Sequence, residues 1–137
     1  IICCGDLASD ETLDFLNDNF NGVIHYTFGN MDNDQFQDFK FKDKYKNTFL
    51  HEEFGETEID ERKIAFVHFP DIARKLSDFG KYDFIFYGHT HKPWEENINN
   101  CKMLNPGNVA GEIYLPTFAV WNTENDKFEL IRIHNLK

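Results

Sequence analysis

Short apolar runs, each ended by a polar residue and most with a glycine at the break, recur along the chain. Ile1-Ile2-Cys3-Cys4 stops at Gly5-Asp6, and 22–28, rich in β-branched and aromatic residues, stops at Gly29-Asn30. Ile64-Ala65-Phe66-Val67 stops at His68, and Phe84-Ile85-Phe86-Tyr87 at Gly88-His89-Thr90-His91. Runs of this length and composition read as buried strands. After the first, Ser9 precedes Asp10 and Glu11, an N-cap with an acidic first turn, and Leu13, Leu16 and Phe20 share a helical face. Pro70, followed by Ile72, Leu76 and Phe79 at helical spacing and closed by Gly80, predicts a second helix. Segments 48–54 and 57–68 predict two strands around Gly55, paired as a hairpin. Three more strands are expected around 94–98, 117–121 and 128–134, interrupted by the loop Asn105-Pro106-Gly107-Asn108. The polar stretch 34–46, with scattered Phe, is the least legible and predicts a short helix.

The strands and helices, with no repeat or low-complexity linker, predict one α/β domain over 1–137. Hydrophobic residues make up 41% of the 137 and include 15 Phe, enough for a real core. The net charge of −10 argues against a nucleic-acid partner, which needs a basic face. An acidic protein can still act on a phosphate ester if bound divalent cations reverse the local potential. Cys3, Cys4 and Cys101 lack metal-finger spacing and read as reduced thiols of a cytoplasmic protein. No stretch approaches the roughly 20 apolar residues of a membrane span, so no membrane contact is expected. The chain opens at Ile1 inside an apolar run, which points to a segment lost upstream.

Asp6, Asn30, His68, His89 and His91 follow these runs and are expected at the carboxyl ends of strands, the edge where layered α/β proteins bind ligands. Carboxylate, amide oxygen and imidazole together suit Mn, Fe, Zn or a similar ion. His89 and His91, two apart on an extended loop, can address two different ions. Taken singly, each has a plainer reading: His68 as a hydrogen-bonded strand end, Asp6 as a helix cap. His25, His51 and His134 read as structural or exposed. Neither a Gly-rich phosphate loop with Lys nor a Gly-x-Ser-x-Gly elbow is present.

The order Gly5-Asp6, Gly29-Asn30, Val67-His68, Gly88-His89-Thr90-His91, Asn105-Pro106-Gly107-Asn108 resembles the calcineurin-like metallophosphoesterases over nearly the whole chain, and most closely their small bacterial and archaeal phosphodiesterase branch. The resemblance implies a layered β-sandwich flanked by helices, here without its first strand. It implies two divalent ions in the complete domain, manganese favoured over nickel, zinc or iron. Asp6 would bridge them; Asn30, His68 and His89 would complete the second ion's shell, and His91 would bind the first. Asp6, Asn30 and His89 are thereby the expected catalytic positions. The family's Asp-x-His motif, which supplies the first ion with two more ligands, does not precede Ile1.

Two departures from the family pattern are visible. Met31 stands where many relatives have His; Asp32 either assists in its place or is a solvated loop acid. Phe69-Pro70 follows His68 where Gly is common. Asn105 and Asn108 either shape the rim of the site or form a plain turn. The implied function is hydrolysis of a small phosphodiester by a water activated between two ions. The alternatives are an idle scaffold, as in the retromer subunit of the same family, and a single-metal binding module. An unpaired edge left by the missing strand predicts self-association.

Overall fold

Apolar runs without polar alternation belong to strands buried on both faces. The computed structural model, which describes residues 1–32 and 43–136, builds its central sheet from them. β1 (Ile2–Cys3), β2 (Ile24–Thr27) and β3 (Thr48–His51) form a parallel sheet in that order. β4 (Phe54–Ile59), β5 (Arg62–Val67), β6 (Phe84–Tyr87), β7 (Trp94–Ile98) and β8 (Cys101–Asn105) form a second sheet in the order β4-β5-β6-β8-β7. Its three inner strands are parallel and its two outer strands antiparallel to their neighbours.

Successive side chains of a strand point to opposite faces, and both faces of the second sheet are covered. Ala65, Val67, Ile85, Tyr87 and Met103 meet Ala73 and Leu76 of α2 (Pro70–Asp78). Ile64, Phe66, Phe84, Phe86 and Leu104 line the opposite face, packed by Ile2 and Cys4 of the first sheet's leading segment. The antiparallel pair β9 (Thr117–Asn122) and β10 (Lys127–Arg132) adds Ala119, Trp121 and Phe128 to that core. Phe66 is fully buried there; truncating such a residue to Ala costs about 3–5 kcal/mol. Leu13 of α1 (Asp10–Asn19) closes a third cluster with Tyr26, Phe28 and Tyr45. The sheets flanked by two helices bear out the expected architecture.

The helix ends follow the sequence signals. Ser9 Oγ accepts from Thr12 N at 3.2 Å, Pro70 opens α2, and Gly80 takes a φ of 62° just past its end. Of the three residues expected on one face of α1, Leu13 is buried and Phe20 is exposed. No helix among the described residues is long and apolar enough to cross a membrane.

Two expectations are corrected. The hairpin does not pair 48–54 with 57–68 around Gly55: β3 joins β2, and β4 pairs with β5 through Asp60 and Glu61. Both turn residues have positive φ, 48° and 65°, as a two-residue turn between twisted strands requires. Gly55 instead lies opposite Phe66 within the ladder, where any side chain would collide with that ring. β8 was not expected as a strand at all. Cys-Lys-Met-Leu-Asn has no β-branched residue, and its extended state comes from ladders to β6 and β7 on either side. The short helix expected in 34–46 falls mostly outside the described residues; 43–46 run as a turn into β3.

Candidate metal centre

The chain leaves β1, β2, β5 and β6 into loops that carry Asp6, Asn30, His68 and His89, and these four side chains meet. His68 Nε2 lies 3.0 Å from Asn30 Oδ1, 3.2 Å from Asp6 Oδ2 and 3.2 Å from His89 Nδ1. Asn30 Oδ1 is also 3.1 Å from His89 Nδ1. His68 is 1% exposed, and its Nδ1 donates to the carbonyl oxygen of Cys4 at 2.7 Å. A carbonyl can only accept, so in the neutral ring the proton sits on Nδ1 and Nε2 presents a lone pair. That lone pair faces a carboxylate oxygen and an amide oxygen. A single proton on His89 Nδ1 can serve only one acceptor well, and the remaining lone pairs converge at a cost unless a cation lies among them.

The donor set therefore fits a divalent ion of the Mn, Fe or Zn kind. The Nδ1–H bond to a backbone carbonyl is the outer contact that metal-ligating histidines generally make. No three His, Cys, Asp or Glu side chains among the described residues are grouped to hold an ion by themselves; the Asn30 amide oxygen is what completes the set. His91 is not among the contacts of this cluster. Its Nδ1 is buried without a hydrogen-bond partner, and its carbonyl accepts from Asn108 Nδ2 at 3.4 Å.

The loops that carry these donors are held in costly conformations. Nine non-glycine residues among those described have positive φ, and four of them, Asp60, Glu61, Asn99 and Asp126, belong to hairpin turns. The others are Asp6 (62°), Ala8 (59°), His89 (66°), His91 (58°) and Ile113 (68°). A bond from Thr90 N to Gly88 O, 2.8 Å, closes a three-residue turn on His89. Each such residue costs of order 1–3 kcal/mol and persists only where its surroundings over-determine it.

Asp32 is the main restraint on two of these loops, and it is not a solvated loop acid. The residue is 8% exposed. Its Oδ2 accepts from Gly29 N at 2.6 Å and Asp6 N at 3.0 Å, while Oδ1 accepts from Ala8 N at 3.0 Å. The Asp6 and Asn30 loops are thereby tied to one carboxylate. Asp6 Oδ1 in turn accepts from Met31 N at 2.8 Å, so Asp6 is not the cap of α1. A Cβ on Gly29 would collide with the Asp6 carboxylate. Asn105, 1% exposed, does the corresponding work on the other side: its Nδ2 donates to Gly88 O at 2.8 Å and to Thr90 Oγ1 at 3.0 Å. The Asn105-Pro106-Gly107-Asn108 segment is thus a brace for the histidine loop rather than a plain turn.

The chain as a whole is similar to known proteins. The profile of the calcineurin-like phosphoesterase superfamily domain matches residues 1–126. The chain belongs to this family. Among calcineurin-like phosphoesterases, it is 28% identical over 134 residues to the phosphodiesterase MJ0936 of Methanocaldococcus jannaschii, covering 96% of this chain and 80% of that one. The solved structure of a novel archaeal phosphodiesterase superposes with a TM-score of 0.84 at 28% identity, over 96% of this chain and 81% of that chain. Vps29 of Chaetomium thermophilum shares the fold, with a TM-score of 0.67 at 15% identity over 95% of this chain and 76% of its own.

Proposed function

We propose that this calcineurin-like phosphoesterase is a metal-dependent phosphodiesterase acting on a small phosphate ester, with manganese as the favoured ion. The observation that carries the reading is the convergence of Asp6 Oδ2, Asn30 Oδ1, His68 Nε2 and His89 Nδ1 at distances of 3.0–3.2 Å. These four would hold one ion, with His91 and the second oxygen of Asp6 left for another. Bound ions of this kind supply a water of lowered pKa and positive charge for the phosphoryl oxygens. The relative named a phosphodiesterase supports the diester as substrate.

The protein's own part is positional. The Cys4 carbonyl fixes the His68 tautomer, Asp32 and Met31 N hold Asp6 in place, and Asn105 fixes the loop that presents His89. The Lys and Arg ion pairs of the described residues, Lys44–Asp14, Arg62–Asp126, Arg74–Glu96, Lys81–Glu56 and Lys102–Glu95, engage other carboxylates. In a chain of net charge −10, bound divalent ions would reverse the local potential and help draw a phosphate to the site.

The separation of His91 from the four-donor cluster favours a second reading, a site that fills with one ion. Metal content after manganese saturation and removal of unbound ion separates the two, measured beside turnover of bis(p-nitrophenyl) phosphate. Two ions per chain with turnover support the phosphodiesterase. One ion without turnover supports the single-metal module, and no bound ion refutes both.

A further inference from the structure

The turn that carries Asp6 from β1 toward α1 is strained along most of its length. Gly5, Asp6 and Ala8 have φ of 94°, 62° and 59°. Successive N–H groups of a left-handed turn form a concavity that holds an anion, and two side chains of this protein fill it. Asp6 N and Ala8 N donate to the two oxygens of Asp32, at 3.0 Å each. Leu7 N, between them in the chain, donates instead to the hydroxyl of Tyr26 at 3.3 Å. The Tyr26 hydroxyl gives its own proton to the Asp32 carboxylate.

Tyr26 belongs to β2 and is fully buried in the cluster of Leu13, Phe28 and Tyr45. The strand is held on both sides, with Tyr26 opposite Cys3 of β1 and Leu50 of β3. A phenol placed so deeply needs a partner for its O–H, and here both of its bonds run to the Asp6 turn or to the group that holds it. Burial, and then the bond to Asp32, push its ionisation well above the usual phenol range, so the proton stays in place. Asp32 divides its oxygens between Gly29 N and Asp6 N on one side and Ala8 N on the other. Rotation of that carboxylate would lose this division, and a charge-assisted bond from a fixed phenol resists it.

Building on the metal-centre reading, we propose that Tyr26 is a positioning residue for Asp6, holding the turn that presents this ligand through Leu7 N and through Asp32. The ring anchors the turn to a paired strand, and the hydroxyl supplies the acceptor that Asp32 does not offer to Leu7.

The test compares Tyr26→Phe with Tyr45→Phe. Each keeps its ring and loses one hydroxyl from the same buried cluster, but that of Tyr45 donates to Asp14 Oδ1 of α1 at 2.8 Å. Two quantities are read well below the thermal midpoint of each variant: manganese affinity by calorimetry, and exchange of the Asp6, Leu7 and Ala8 amide protons by NMR in the metal-free protein. Tyr26→Phe should weaken manganese binding about tenfold, the lower end of the effect of removing a ligand's outer partners, and speed exchange of the three amides. Tyr45→Phe should change neither, which a merely structural role for the cluster's hydroxyls would not predict. Unchanged exchange in Tyr26→Phe, unchanged affinity where the parent binds manganese, or equal losses in Tyr45→Phe overturn the proposal. Faster exchange confined to Tyr26→Phe, in a protein whose parent binds no manganese, would uphold Tyr26 as the anchor of Asp6 and reject the metal reading.

Discussion

Replacing Asp32 tests whether one buried carboxylate holds the site together. In Asp32→Ala three backbone N–H groups lose their acceptor. Gly29 N is buried, and its unmet bond costs about 2 kcal/mol; Asp6 N and Ala8 N are partly buried and can turn to water, at about 1 kcal/mol each. The sum, about 4 kcal/mol, is a large share of a typical domain's stability. Asp32→Asn should cost less. Its amide oxygen can take the position of Oδ2 and still accept from Gly29 and Asp6, leaving one NH₂ opposed to Ala8 N at about 1–2 kcal/mol. Urea unfolding followed by circular dichroism reads both. With a slope of about 2 kcal/mol/M, the alanine variant should lose about 2 M in midpoint and the asparagine variant less than half as much. An alanine variant within about 0.5 kcal/mol of the parent, or an asparagine variant as damaged as the alanine one, would refute this account of Asp32.

Asp6→Asn removes a charged donor while keeping the side chain's shape, and is expected to lose manganese binding as well as turnover; full metal content by elemental analysis would sink the proposed role of Asp6. Gly29→Ala forces a methyl group into the Asp6 carboxylate, so manganese affinity should fall at least tenfold, an effect absent from Gly80→Ala, where space is open, although that change strains a positive φ. Burial pushes the thiol of Cys3 up to about 12 and that of Cys101 up to about 11, from 9.0. Above pH 9 the unfolded chain therefore sheds protons that the folded chain keeps, and stability, fully present below that pH, should decline as pH rises. Urea melts at pH 7 and pH 10.5 check the sign, and the decline should be shallower in a Cys3→Ala, Cys101→Ala variant.

Much of this fold is local. Ser9, Pro70 and Gly80 mark helix ends because the groups that satisfy or terminate a helix lie within a few residues of it. Uninterrupted runs such as Ile64-Ala65-Phe66-Val67 can be soluble only as strands covered on both faces. A polar residue that ends such a run stands at a strand end, which is why Asp6, Asn30, His68 and His89 are legible together as candidate donors, although each taken singly has a plainer reading. The order of those residues also carried the family.

What the chain could not declare locally is whatever depends on segments meeting from far away. β8 is a strand because β6 and β7 offer it hydrogen bonds on both sides, not because Cys-Lys-Met-Leu-Asn prefers to be extended. Asp32 looks like any loop acid until the Gly5 to Ala8 turn, some 25 residues away, folds over it and supplies two N–H donors to its carboxylate. The left-handed backbone at Asp6, His89 and His91 is likewise unfavourable in isolation and is held by Asp32, Asn105 and the packed glycines. Local sequence thus determined which residues could ligate or cap; the tertiary structure decided which of them converge, because burial and strain are paid only where distant loops close on one another.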